Sequence, residues 1–193
     1  FCNTLRLWSA RPPEYINLRY FSEGDYVRAN AEKALAESIS KMLYPNDSHD
    51  AGKSLRLRQQ YFFTAATLSY MLKRHKAMGL PLGALKDKVA IQINDTHPSL
   101  AIAELMRLLV DMEGLGWDEA WDICTSVFSY TNHTVMSEAL EVWPVSLLES
   151  LLPRIRMIIR EIDRLLRLRV SARFGEHNSP ALDKTAIISR GHV

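Results

Sequence analysis

Residues 88–94, KVAIQIN, run straight into Asp95-Thr96-His97-Pro98, and residues 125–130, TSVFSY, run straight into Thr131-Asn132-His133-Thr134. Each stretch is a mostly apolar run of strand length, closed by polar turn chemistry. Between them Pro98 suits the first position of a helix, and the pattern continues through Leu108 and Val110. Residues 117–121, from one tryptophan to the next, precede the second run. Strand, helix and strand in this order build a parallel sheet through a right-handed crossover. The expected fold class is therefore α/β.

Working outward toward the start, residues 3–8, NTLRLW, alternate Leu5 and Leu7 with polar neighbours and predict a short strand. Residues 11–24 hold Pro12, Pro13 and Gly24 and read as connection. Val27, Ala31, Ala34, Leu35, Ile39 and Met42 recur at near-helical spacing and predict a helix over 25–43, stopped by Pro45. A long helix is predicted to start after Gly52 and run over 53–78, with Leu55, Phe62, Ala65, Leu68 and Leu72 toward a core and Gly79 at its end. Beyond the second strand a helix is expected over 145–152, a break at Pro153, and an amphipathic helix over 154–174 with Ile155, Ile158, Ile159, Ile162 and Leu166 on one side. Arg156, Arg160, Arg164 and Arg167 form a basic stripe on the other side. Interleaved Glu161 and Asp163 weaken it, so it reads as a solvated face and not an anion grip.

Nearly half of the residues (47%) are hydrophobic, enough for a globular core. The 24 Lys plus Arg nearly balance 22 Asp plus Glu, and a net charge of +2 gives nucleic acid or an anionic membrane no electrostatic claim as partner. Two cysteines, Cys2 and Cys124, cannot form a disulfide framework, which fits a reducing cytoplasm. Cys124 reads as a small core residue in a strand. No run reaches transmembrane length, and no leader pattern is visible. Neither a G-x-G-x-x-G nor a P-loop pattern occurs, which excludes the usual nucleotide cradles from this stretch. Asn46, Asn94 and Asn132 each head a glycosylation triplet, discounted because nothing else points to secretion. The chain opens on Phe1 and closes over 187–193 without a cap, so it is expected to be a piece of a longer protein.

In open parallel sheets, ligands bind beyond the carboxyl ends of the strands, where the loops can aim several side chains at one point. The loops Asn94-Asp95-Thr96-His97 and Thr131-Asn132-His133-Thr134 leave the two predicted strands there. Their amide, hydroxyl, carboxylate and imidazole groups both donate and accept, as a polyhydroxyl ligand requires. Two rival readings use the same residues. Asp95, His97 and His133 could ligate zinc, although the usual close ligand spacings are missing. Asp95 and His97 could simply cap the helix that starts at Pro98.

Across these segments the sequence resembles the α-glucan phosphorylases (glycogen, starch and maltodextrin phosphorylases). The resemblance is carried by NTLRLWSA at 3–10, LYPND at 43–47, GKSLRLRQQYF at 52–62, IQINDTHPSLAIAELMRLLVD at 91–111, YTNHTVMSEALE at 130–141 and LLESLLPR at 147–154. The matches fall in family order, and runs as long as INDTHPSLAI and YTNHTV are specific. Five positions depart from the family pattern: Ser48 for Asn, Ala103 and Ser137 for Pro, Val142 for Arg and Ile155 for His. Of these, Ser48 bears on the gate or sugar, and Val142 on an ion pair.

The resemblance implies that residues 1–193 are part of the N-terminal, Rossmann-like domain of a two-domain glycosyltransferase of the GT-B kind, with the cofactor domain outside this chain. It implies phosphorolysis of an α-1,4-glucan or maltodextrin from its non-reducing end, using inorganic phosphate and giving α-glucose 1-phosphate. A non-catalytic relative that only binds glucan is the alternative. His133 would contact the reacting glucosyl unit, its side chain at the 6-hydroxyl and its carbonyl near the anomeric carbon. Asn132 and Thr134 flank it in the site, and Asp95 and His97 would line the neighbouring pocket on the acceptor side. Asn46, Asp47 and Ser48 would sit on a mobile gate loop, with Arg56 nearby. Pyridoxal 5'-phosphate would be bound by a lysine outside this chain, and no metal is implied. A homodimer follows from the same resemblance.

Overall fold

The computed structural model describes residues 4–136, 140–175 and 179–193. It is mixed α/β, mostly helical with a small parallel sheet. The chain divides into two compact units, Phe1–Thr67 and Leu68–Val193.

In the first unit the strand expected over 3–8 does not form among the described residues: residues 4–8 join no ladder, and Leu5 and Leu7 lie exposed. Alternation marks a face, but a strand needs a partner, and none is supplied. The segment read as connection contains α1 (Leu18–Ser22), N-capped by Asn17, whose side chain accepts from the amide of Tyr20. One turn of helix is too short for periodicity to reveal. Gly24, at φ 81°, turns the chain into α2 (Tyr26–Lys41), whose N-cap Asp25 accepts from the Arg28 amide. The helix stops at Lys41, and Met42 is already extended.

The long helix α3 (Asp50–Ala77) starts earlier than predicted and takes Gly52 into its first turn. Glycine is required there for space: a Cβ on Gly52 would overlap the carbonyl of Asn46, which folds back onto the helix. Leu57 and Gln59 are buried, and the Gln59 amide donates to the Met42 carbonyl at 2.7 Å, holding the chain that leads into this helix. Leu55 and Phe62, expected in the core, are only half-buried.

The second unit begins within α3, with Leu68 and Leu72 buried. Gly79 ends the helix at φ 72°, its amide donating to the Lys76 carbonyl at 2.9 Å. Buried His75 joins the helix end to the following turn through Nε2 and the Pro81 carbonyl, 2.8 Å apart. A 3₁₀ turn (Leu82–Ala84) and α4 (Leu85–Lys88) precede β1 (Ile91–Asn94), so the predicted strand loses Lys88 to a helix and starts only at Ile91. Pro98 lies in a turn, and α5 (Leu100–Arg107) starts after it and loosens into a π turn over Leu108–Met112.

Next come α6 (Trp117–Val127) and β2 (Phe128–Thr131). Residues 125–127 belong to the helix, and Cys124 is a buried helix residue and not a strand residue. Ala120, Ile123, Cys124 and Val127 form one buried stripe at helical spacing, and packing of that stripe overrides the β-branched tail. β1 and β2 pair in parallel, Ile91 with Phe128 through Asn94 with Thr131. The expected crossover unit is present, with both strands shorter.

The C-terminal half of the unit is helical: α7 (Val145–Leu151), α8 (Pro153–Phe174) and α9 (Ser179–Thr185). Pro153 occupies the first turn of α8, where its missing N–H costs nothing. Ile155, Ile158, Ile159 and Val170 are buried, and α8 packs on α5, α7 and α9. The arginine stripe dissolves into separate pairs: Arg164 with Glu161 at 2.7 Å, Arg167 with Asp163 at 2.8 Å, and Arg156 with Glu149 at 3.9 Å. Asp163 is itself buried and accepts the amides of Ile187 and Ile188, fixing the segment beyond α9. No helix among the described residues is long and apolar enough to cross a membrane.

Candidate functional site

Because Asn94 and Thr131 are register partners, the two predicted loops leave the sheet side by side. The Asp95 amide donates to the Thr131 carbonyl at 2.8 Å, carrying the pairing one residue past the ladder. Asp95 then turns into the left-handed region at φ 57°, which aspartate tolerates better than most residues. Its Oδ1 accepts the backbone N–H of His133 at 2.8 Å, a hydrogen bond strengthened by the carboxylate's charge. The capping alternative is thus corrected: Asp95 holds the facing loop, while the N-cap of α5 is Ser99, with no side-chain cap bond.

Asn132 shapes the same loop. Its Nδ2 donates to the Thr134 carbonyl at 2.7 Å and its Oδ1 accepts from the Thr134 amide at 3.3 Å. His133 and Thr134 are exposed beside it. The Asp95 bond leaves the His133 imidazole and carbonyl uncommitted by that contact.

Thr96 and His97 make a second junction that the sequence reading did not identify. Thr96 Oγ1 accepts the amide of Glu141 at 2.8 Å, and His97 Nδ1 lies 3.0 Å from Glu141 Oε1. Nothing in the local spacing signals a partner so far along the chain. Among the described residues, no group of three or more His, Cys, Asp and Glu is arranged to hold a metal ion.

In the first unit, Asn46, Asp47 and Ser48 lie on a loop with its own internal supports. Asn46 Oδ1 accepts the Ser48 amide at 3.0 Å, Asp47 pairs with Arg56 at 3.6 Å, and the Arg56 guanidinium stands 6.0 Å from the centre of the Tyr44 ring. His49 closes the loop as a cap of α3, its Nδ1 accepting the Gly52 amide at 3.0 Å.

The carbohydrate phosphorylase family model matches residues 1–193, the whole chain. The chain belongs to that family. It is 53% identical over 180 residues to the muscle form of glycogen phosphorylase from Rattus norvegicus, and 53% identical over 180 residues to the muscle form from Homo sapiens. It is likewise 53% identical to the liver form from Bos taurus, and each match covers 89% of this chain and 21% of the relative. This phosphorylase chain therefore spans about a fifth of the length of the curated relatives it matches, 21% of each.

Several family departures have a physical setting in this phosphorylase chain. Ile155 is 1% exposed and Ala103 3% exposed, so both are core residues where an apolar side chain packs well. Val142 is exposed, next to the His97-bound Glu141. Ser48 keeps its backbone bond to Asn46. Ser137 lies outside the described residues. Behind the sheet, an apolar cavity of about 230 Å³ is lined by Ile93, Ile102, Trp121, Cys124, Phe128 and Tyr130 among others, and burial pushes the Cys124 thiol up to about 12.

Proposed function

We propose that the longer protein containing this chain is an α-glucan phosphorylase of the GT-B kind. It transfers a glucosyl unit from the non-reducing end of an α-1,4-glucan to inorganic phosphate and retains configuration in α-glucose 1-phosphate. The observation that carries the reading is the family match over residues 1–193, joined to the convergence of Asp95, Asn132, His133 and Thr134 at the ends of two parallel strands.

In this reading the chain supplies one wall of the glucose site. Asp95 holds the His133 backbone, so the imidazole can meet the 6-hydroxyl and the carbonyl dipole can face charge developing at the anomeric carbon. Asp95 and His97 line the pocket alongside, and Asn132 and Thr134 shape the rim. Asn46, Asp47 and Ser48 act as a gate, with Arg56 pairing Asp47. A closed gate excludes water that would divert transfer to hydrolysis.

Pyridoxal phosphate is implied by kinship with the glycogen phosphorylases. The proposal assigns that cofactor, which supplies a phosphate group for proton transfer, to residues outside this chain. The homodimer rests on kinship with the glycogen phosphorylases, and the cytoplasmic setting on a chain with only two cysteines. Glucose 1-phosphate released from maltoheptaose and phosphate by the full-length protein tests the proposal. Glucan binding without release would favour the non-catalytic alternative.

A further inference from the structure

Glu141 stands ten residues beyond β2, yet it meets the loop after β1 twice: its amide donates to Thr96 Oγ1 at 2.8 Å and its carboxylate lies 3.0 Å from His97 Nδ1. The Glu141 side chain is 11% exposed, whereas that of His97 is 46% exposed. The pair therefore joins a largely desolvated carboxylate to a ring that still reaches solvent. A carboxylate withdrawn from water is costly unless it is hydrogen-bonded, so the contact is more than a surface ion pair of negligible weight.

The chemistry of the pair fixes the ring. An ionised carboxylate only accepts, so Nδ1 of His97 carries the hydrogen whether the imidazole is neutral or charged. The neutral ring then presents its acceptor lone pair at Nε2. A ring without such a partner samples both tautomers and rotates, and its hydrogen-bonding direction toward a ligand is undefined. We propose that Glu141 is a positioning residue of the glucan site: it locks His97 in the tautomer and orientation that accept from a sugar hydroxyl at Nε2. The inference rests on the glucan reading above. Thr96 supports the arrangement by binding the Glu141 backbone, so the carboxylate is placed from the same loop that carries the histidine.

The test uses the full-length protein, with Glu141→Ala, Glu141→Gln, His97→Ala and the Glu141→Ala/His97→Ala double variant. Histidine-selective ¹⁵N spectra, with His97 assigned by its loss in His97→Ala, read the tautomer directly. The wild type is expected to show hydrogen on Nδ1 and Glu141→Ala to show a mixture. The KM for maltoheptaose is expected to rise about five- to tenfold in Glu141→Ala, the weight of one ordinary hydrogen bond, with kcat changed less. Glu141→Gln, whose amide oxygen still accepts, should recover most of that loss. In the His97→Ala background, removing Glu141 should raise KM clearly less than it does in the wild type, since its effect on the glucan runs through that ring.

An unchanged His97 tautomer in Glu141→Ala, an unchanged KM, or full additivity in the double variant would overturn the proposal. Should Glu141→Ala fail to fold, Glu141→Asp, too short to reach the ring, takes its place with the same expectations. If the wild type releases no glucose 1-phosphate, the functional reading fails separately, and the maltoheptaose Kd then replaces KM and decides the role of Glu141 in the same way.

Discussion

Removing the His133 side chain leaves the bond that orients its peptide untouched, because Asp95 takes the backbone N–H and not the imidazole. His133→Ala in the full-length protein is therefore expected to melt at the wild-type temperature while phosphorolysis falls roughly a hundredfold or more, the scale of losing one group aimed at developing charge. Unchanged turnover would remove His133 from the reaction. Gly52 makes the opposite kind of prediction. A methyl at that position has no room beside the Asn46 carbonyl, so Gly52→Ala should displace the loop carrying Asn46, Asp47 and Ser48. The overpacking cost is about 1–3 kcal/mol, read as a lowered unfolding midpoint with faster proteolysis within that loop. Cys124, 1% exposed and with its thiol pushed up to about 12 by burial, should resist iodoacetamide in the native protein and react once unfolded. Labelling followed by mass spectrometry of the peptide decides this.

At the scale of elements, α8 is tied to its surroundings at its start through Arg154 and at its middle through Asp163. Arg154 donates twice to Asp111 in the π turn that follows α5, at 2.7 and 2.6 Å. Those hydrogen bonds, then the guanidinium's charge, hold the Asp111 carboxyl below its usual 3.8, against the opposing effect of burial. Its contribution to stability is therefore complete above the ordinary carboxylate range and is lost as pH falls through the depressed native value. Asp111→Asn should flatten that acid limb in urea titrations, and a limb of unchanged slope would deny Asp111 its part. Further along, Asp163 joins Arg167 to the amides of Ile187 and Ile188. Asp163→Ala leaves the two amides without their acceptor and Arg167 with only the Ile188 carbonyl, at a cost of about 1–3 kcal/mol, and should expose residues 186–190 to proteases first. In the sequence this aspartate is only a diluent of the arginine stripe, because composition along one face cannot show which acid turns inward. The crossover unit was legible because its two apolar runs and turn residues are local signals. The strand starts were not, since α4 and α6 claim residues 88 and 125–127 by packing against one another. Likewise the two polar loops could be read from their composition, whereas the Glu141–His97 contact depends on tertiary folding across 44 positions and has no local trace.

For the molecule as a whole, the loop carrying Asn46, Asp47 and Ser48 belongs to the first unit and the strand-end loops belong to the second. Variants in both must therefore be assayed in the full-length protein, whose other segments the family match implies but this chain does not contain. The sheet adds a practical consequence. Among the described residues, β1 and β2 pair only with each other. Two parallel strands are marginal alone, and open edges are templates for other chains. Produced by itself, this stretch should accordingly associate through those edges and scatter light at concentrations where the parent remains clear. A lysine placed at Ser129, half-way along β2, would be the first change to try for solubility.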